Sequence, residues 1–299
     1  MTAKEQTYAQ GVVFILLAEL GWSLSGVFVR LMPGLNGWQI NCWRGFWMAV
    51  ALLIYLVARY GGELPAKFRA IPAIALFTSA GFFAAGTTFY VTSLTMVSTA
   101  TVSVIGASSP LFTGLLSPWI TAEKPGPAAW TAAILALSGV GIIAWNQLDA
   151  GNPIGLAVSL MVPFSFSVQT LALRRYRQFD MIPAICLGGF LAFFAAGFLG
   201  FFAKPGGGFA IAPREMLLLA VMGPLQLSAP LVFYAQGAKS VAAITLALIV
   251  MLDAVLNPFW PWAFLGEMPD RAAFIGGAII IGAVAISIFG SRWMTRARN

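Results

Sequence analysis

Histidine is absent from the 299 residues, and cysteine occurs only twice. Without histidine, neither a Ser–His nucleophile nor the two-histidine zinc-protease motif can be built. Cys42 and Cys186 each fall inside an apolar run. They read as small membrane hydrophobes, not as a disulfide or a metal site. No cofactor and no metal are expected. Charge is scarce too: 9% of residues are charged, against about 25% in a soluble domain. So few charges cannot cover a soluble globule of this size. The chain is instead 60% hydrophobic with a mean hydropathy of +0.87, and it carries 24 Phe and 10 Trp. That material suits a surface facing lipid, with aromatic rings packing in the bilayer and at its interfaces.

The net charge of +7 would suggest nucleic acid in a soluble protein. Here the basic residues lie between apolar runs, so the positive-inside rule explains them and no nucleic-acid partner is expected. The first apolar run has no clear small-residue cleavage site and leads directly into more such runs. It is expected to be a retained helix.

A helix crossing the hydrocarbon core needs about 20 mostly apolar residues. Runs of that kind predict ten spans: 11–31, 38–58, 70–92, 97–119, 128–147, 153–173, 182–202, 215–236, 240–263 and 272–290. With the N-terminus inside, twelve of the 17 Lys and Arg fall in cytoplasmic segments and four outside, with Arg44 inside a span. This bias predicts both termini in the cytoplasm of a bacterial inner-membrane, multi-pass protein.

The sequence also resembles itself at an offset of 144 residues. Phe89-Tyr90 matches Phe233-Tyr234, Glu123-x-Pro125 matches Glu267-x-Pro269, and Ala128-Ala129 matches Ala272-Ala273. The same offset joins Gly11 to Gly155, Ser23 to Ser167, Arg30 to Arg174 and Cys42 to Cys186, without a gap. The repeat predicts two units, residues 1–148 and 149–299. Each holds five spans, an odd number, so the second must enter the membrane upside down. The expected fold is an all-α integral membrane protein of ten transmembrane helices in two inverted five-helix repeats. That is the architecture of many secondary transporters, with a substrate site between the halves near the midplane.

The second half ends in Leu265-Gly266-Glu267-x-Pro269, Phe274-Ile275-Gly276-Gly277-Ala278 and Gly282, and the first carries Ser109-Pro110 and an apolar run to Glu123. With Arg44 in the second span, these residues resemble the drug/metabolite transporter superfamily in its EamA-type branch. The resemblance covers essentially the whole chain. The chain departs from the family at Ala122, where the family has a Gly before Glu, and its second half has Ala254 where Pro110 stands in the first. What the resemblance implies is export of metabolites from the cytoplasm. Amino acids, aromatic ones included as in the YddG-type exporters, are a leading substrate class.

Ionisable groups within the bilayer cost roughly 2.5–3.5 kcal/mol on insertion scales and mark functional positions. Three lie deep in the spans: Glu19, Arg44 and Asp253. Glu19 and Arg44 are expected either to pair across neighbouring spans or to meet substrate. Asp253 shares a helical face with Asn257 at i+4 and Trp260 at i+7, and its counterpart at the 144-residue offset is Ser109. It suits a substrate amine or a coupled proton, or a hydrogen bond to a neighbouring helix. In the fourth span Ser103, Ser109 and Pro110 belong to a small, polar region. Thr99, Ser103, Gly106, Pro110, Thr113 and Ser117 form one stripe that suits close packing, a cavity wall, or both. Trp22 and Ser23 accompany Glu19 on the first span, and Tyr90, Gln226 and Tyr234 add polar handles on the third and eighth. Glu267 and Asp270 sit before the last span, where a structural, helix-capping role is expected.

The function expected is a secondary transporter exporting amino acids by alternating access. Cationic drugs or polyamines are the alternative substrates, drawn by the two acids. An enzyme is not expected, and a channel would need a filter loop or charged ring that is not visible. The partners expected are a small-molecule substrate, a coupled proton and membrane lipid, and a monomer can form the complete carrier.

Overall fold

The computed structural model describes residues 7–145, 152–203, 211–265 and 271–296, with a few side chains inside helices left undescribed, Asn257 and Arg30 among them. Of the described residues 85% are helical, and none lies in a strand. In hydrocarbon a helix satisfies every backbone group within one segment, so long apolar runs have little other choice.

The first half contains α1 (Tyr8–Trp22), α2 (Ser25–Arg30), α3 (Gly37–Tyr60), α4 (Leu64–Ala70), α5 (Ala73–Leu94), α6 (Thr99–Gly106), α7 (Ser109–Ile120) and α8 (Pro127–Ala144). The second contains α9 (Pro153–Arg175), α10 (Ile182–Ala203), α11 (Pro213–Met222), α12 (Ala229–Gly237), α13 (Ala243–Val250), α14 (Asp253–Leu265) and α15 (Arg271–Arg296). A π-helical segment, Gly223–Ser228, joins α11 to α12.

Local chemistry sets several helix starts. Thr7 and Gln10 form a capping box on α1, and Asn36 and Gln39 form one on α3. Asp180 Oδ1 accepts the amide of Ile182 at 3.1 Å and caps α10. Asp180 lies 144 residues after Asn36. The turns also show where the chain is strained. Gly61 (φ 51°) reverses the chain after α3, and Ala122 (φ 58°) does so after α7. Only Ala122 carries a Cβ in that left-handed region, where side chains are disfavoured.

Among the described residues, eight helical stretches are long and apolar enough to cross a membrane. The expected spans 97–119 and 240–263 are not among them, because each is broken in the middle. The first breaks at Ala107 and Ser108, the second at Met251 and Leu252, again 144 residues apart. An eight-residue piece such as α6 or α13 rises only about 12 Å, well short of the core. At the first break Pro110 lies in the opening turn of α7, where its missing N–H costs nothing. At the second no proline is present, and Asp253 occupies the start of α14, where the helix dipole favours a negative group.

Long-range packing pairs α3 with α10, α8 with α15, α1 with α12, and α5 with α9. Glycines set the closest approaches. A Cβ at Gly45 would lie 3.1 Å from the Gly189 carbonyl oxygen, and one at Gly189 would lie 3.0 Å from that of Gly45. Gly11 packs against Ser240 and Val241, while Gly155 packs against Met96 and Val97. Gly21 faces Pro230, while Gly86 faces Ser165. In every case a contact between two residues recurs between their counterparts 144 positions away.

Candidate functional site

The polar residues of the transmembrane core collect around α1, α3, α5, the π segment and the start of α14. Glu19 is fully buried in α1, and neither carboxylate oxygen has a hydrogen-bond partner. It interacts electrostatically with Asp253 at the start of α14 and with Tyr234 on α12. Tyr234 is itself buried. Its hydroxyl lies 2.8 Å from Thr170 Oγ1 on α9. Its ring lies between Trp22, with centroids 5.2 Å apart, and Phe166, at 6.0 Å. Trp22 and Phe166 are themselves 144 residues apart, so one tyrosine is held by the corresponding aromatic of each half.

Polar contacts gather one turn after Glu19 on the same helix. The hydroxyl of Ser23 donates to the Leu20 carbonyl at 2.9 Å and accepts from Trp260 Nε1 at 2.8 Å, tying α1 to α14. Gln226, in the π segment, donates from Nε2 to the Trp22 carbonyl at 3.2 Å. This fixes the orientation of its amide, and its Oε1 is left buried without a partner. The π segment provides this placement. Ser228 in the same segment donates to the Met48 carbonyl at 3.0 Å, and Gly223 lets it lie against the backbone of Trp47 and Met48. π segments inside α-helices recur at functional positions.

Arg44 does not reach Glu19. It turns back along its own helix and donates from a terminal nitrogen to Asn41 Oδ1 at 3.1 Å. The expected Glu19–Arg44 pair is therefore not formed; the i−3 neighbour on the same helix is the nearer acceptor. Arg44 Nε and Asn41 Nδ2 are buried without partners. Tyr90, on α5, interacts electrostatically with both Arg44 and Asp253. It is 38% exposed.

Ser109 and Pro110 are buried at a different contact. Ser109 donates to the Gly106 carbonyl at 2.6 Å, and its own carbonyl accepts from Ser167 at 2.9 Å. Thr113 completes the set by donating to Ser167 at 3.0 Å. In the described structure these groups pack α7 on α9. Ser103 lies exposed on α6. The side chain of Asn257, like Glu267 and Asp270, lies outside the described residues. The structure thus gathers Glu19, Trp22, Ser23, Gln226, Tyr234 and Asp253, with Arg44 linked to them through Tyr90. It adds Asn41 and Thr170, which the sequence did not single out. Asn41 could have been noticed, since it is a polar residue one helical turn before Arg44.

A second polar centre lies at the chain end of α9. Arg174 Nε donates to Glu123 Oε1 at 2.6 Å, and its NH1 donates to the carbonyls of Ala238 and Lys239 at 3.0 and 2.9 Å. Glu123 Oε2 accepts the Ala243 amide at 3.2 Å. A pocket of about 340 Å3 opens beside this pair, lined by Thr121, Glu123 and the segment from Arg174 to Gln178. It shares no residue with the core cluster.

Comparison with known proteins shows what the chain as a whole is similar to. The model of the EamA-like transporter family matches residues 9–145. A Bacillus subtilis protein named as the uncharacterized transporter YdfC is 26% identical over 275 residues, covering 88% of this chain and 86% of its own length. The S-adenosylmethionine uptake transporter of Rickettsia prowazekii is 23% identical over 291 residues, covering 96% of this chain and 95% of its own. One solved crystal structure, 18% identical, superposes with a TM-score of 0.81 over 94% of this chain and 98% of that one, and so shares the fold.

Proposed function

Because the chain belongs to the drug/metabolite transporter superfamily, in its EamA-type branch, and is a multi-pass secondary transporter, we propose that it exports small metabolites, neutral and aromatic amino acids foremost. Transport runs by alternating access between two inverted halves, residues 1–148 and 149–299. The observation that carries the substrate class is the core cluster. Two acids and a guanidinium are linked there through Tyr90, yet Glu19 has no hydrogen-bond partner and Arg44 turns to Asn41 instead. Aromatic walls with a few oriented polar groups suit a small amphipathic solute.

The reciprocal contacts support the inverted halves. A two-fold relation requires that a contact between two positions recur between their counterparts, as Gly11 with Val241 recurs in Gly155 with Val97. Exchange of conformation between such halves turns a cavity open on one side into one open on the other. The Lys and Arg distribution supports cytoplasmic termini, and ten spans with internal symmetry make a complete monomeric carrier. Glu19 and Asp253 are the groups able to carry a coupled proton.

The cationic reading has one observation in its favour. Glu19 and Asp253 place two acids in the core, and the Rickettsia relatives are named as S-adenosylmethionine uptake transporters. Polyamines or cationic drugs would use the same acids.

The test is counterflow in proteoliposomes made with the full chain, with and without a proton gradient. Zwitterionic amino acids are expected to compete better than quaternary amines. Movement of amines alone rejects the amino-acid reading. Single cysteines at positions 67 and 177 are expected to react from the same face of the bilayer; reaction from opposite faces rules out the inverted halves.

A further inference from the structure

We infer that the pocket between the ends of α7 and α9 is an anion site, in which Arg175 and Arg177 bind a phosphate carried by an anionic phospholipid or free in solution. The site lies apart from the core cluster and does not depend on which solute is transported.

The pocket encloses about 340 Å3, within the range of about 300–1,000 Å3 of small-ligand clefts. Its lining includes Arg174, Arg175 and Arg177, with Glu123 as the one acid. Glu123 is already engaged: one oxygen accepts from Arg174 and the other from the Ala243 amide. Arg174 is engaged in turn by Glu123 and by two backbone carbonyls. Arg175 and Arg177 remain, and both are exposed. Among the described residues neither meets a carboxylate. The one hydrogen bond between them runs from Arg177 to the Lys239 carbonyl at 3.1 Å.

The arginines also repel one another, since Arg177 acts electrostatically against Arg174. Like charges gathered around one cavity are held there at a cost that an anion removes. The planar guanidinium matches phosphate oxygens two at a time. The ends of α7 and α9 adjoin the pocket, and each brings about half a negative charge. Their carbonyls are partly capped, at Ser117 by the Thr121 amide and at Ala172 by the Tyr176 amide. Two unopposed arginines outweigh what is left.

The depth of the pocket suits a phosphate. The apolar helix α9 is long enough to cross a membrane and ends at Arg175. Trp119, two residues before Thr121, is 80% exposed, as a ring at the lipid–water boundary would be. Basic pockets between transmembrane helices at that level hold lipid headgroups. The positive-inside bias accounts for arginines on one face, but not for their meeting in one cavity. At the 144-residue offset the counterparts of Arg175 and Arg177 are Leu31 and Pro33, so the corresponding turn of the first half lacks the pair.

The test is the thermal unfolding midpoint of the full, detergent-solubilised chain. It is titrated with short-chain phosphatidylglycerol against phosphatidylcholine of the same chain length, whose own cation offsets its phosphate. It is also titrated with sodium phosphate against sodium chloride at equal ionic strength. Near saturation, phosphatidylglycerol, phosphate or both are expected to raise the midpoint about 4 °C above the control. A rise with phosphatidylglycerol alone assigns the site to lipid, and a rise with phosphate alone assigns it to a soluble anion. Arg175→Gln and Arg177→Gln should each weaken the binding about tenfold, the loss of one charge-assisted hydrogen bond. Arg69→Gln removes an exposed arginine outside the pocket and should leave the binding unchanged. Arg175 makes no hydrogen bond among the described residues, so its variant decides the matter if Arg177→Gln does not fold. Equal midpoints with both anions and their controls overturn the site. So does a loss on Arg69→Gln equal to that of the pocket arginines, which would reveal diffuse attraction. Transport is not measured, so failure here leaves the export reading standing.

Discussion

Arg174 and Glu123 are joined twice over: directly, from Nε to Oε1 at 2.6 Å, and through α13, whose first amide is held by the other oxygen of Glu123. The same guanidinium reaches the two carbonyls that follow α12, at Ala238 and Lys239. One pair of side chains thus fastens the ends of α7, α9, α12 and α13 together. The side chain of Arg174 is 11% exposed and that of Glu123 28%, so water screens the pair only partly.

Arg174→Ala and Glu123→Ala are each expected to destabilise the detergent-solubilised protein by about 1.5–3 kcal/mol, the range for hydrogen bonds to charged groups. The double variant should lose clearly less than the sum, because both changes break one unit. Thermal unfolding of the four proteins measures this. Additive losses would show that the two residues act separately.

Ala122, immediately before Glu123, is held at φ 58°. An L side chain in that region costs about 1–2 kcal/mol. Ala122→Gly is expected to raise the unfolding temperature, while Ala122→Val lowers it. The counterpart at the 144-residue offset is already glycine, Gly266.

Gly139 and Gly276 let α8 and α15 touch. A Cβ at Gly139 would sit 2.8 Å from the Gly276 carbonyl oxygen, which cannot move without the helix. Gly139→Ala and Gly276→Ala should each cost about 1–3 kcal/mol. Gly141→Ala, which meets nothing within 4 Å, should leave the melting temperature unchanged or raise it. The three melting curves together separate helix contact from helix propensity.

Glu19→Gln should raise stability while lowering transport. The carboxylate is buried without hydrogen bonds and faces a second acid. Gln cannot take a charge at a site where burial and a second acid disfavour one, and a gain of about 1 kcal/mol is expected. A variant that melts higher and transports less would place Glu19 among residues kept for function. A variant that melts lower would show that the carboxylate stabilises the fold.

Tyr234→Phe keeps the ring between Trp22 and Phe166 and removes only the contact with Thr170. A loss of about 1 kcal/mol is expected. Tyr234→Ala removes the ring as well and should cost about 3–5 kcal/mol. Comparable losses for the two would mean that the hydroxyl, not the packing, holds the halves at this point.

The membrane-spanning helices were legible because the bilayer demands about 20 apolar residues from any segment that crosses it, and little else can be made from such runs. The interruption near Ser108 could be read from Pro110. Its counterpart near Leu252 could not, because the chain there breaks without proline and starts again at Asp253. The π segment, Gly223–Ser228, was not expected from the sequence. The acids and the arginine stood out by their cost in lipid, yet their partners did not. Arg44 chose Asn41 on its own helix, and Tyr234 chose Thr170, 64 residues earlier. Such choices depend on how helices rotate against each other, which hydrophobicity alone does not specify. Ser109 stood out as the counterpart of Asp253, but its neighbours show that it seals a helix contact.

Gly45 and Gly189 cross with each one's missing side chain filled by the other's backbone. In a dimer of identical five-helix chains this would be one residue meeting its own copy, and any enlargement would collide with itself. The two positions lie 144 residues apart, and both are glycine. A larger residue at either one would push the other's helix away, so neither position can change size alone.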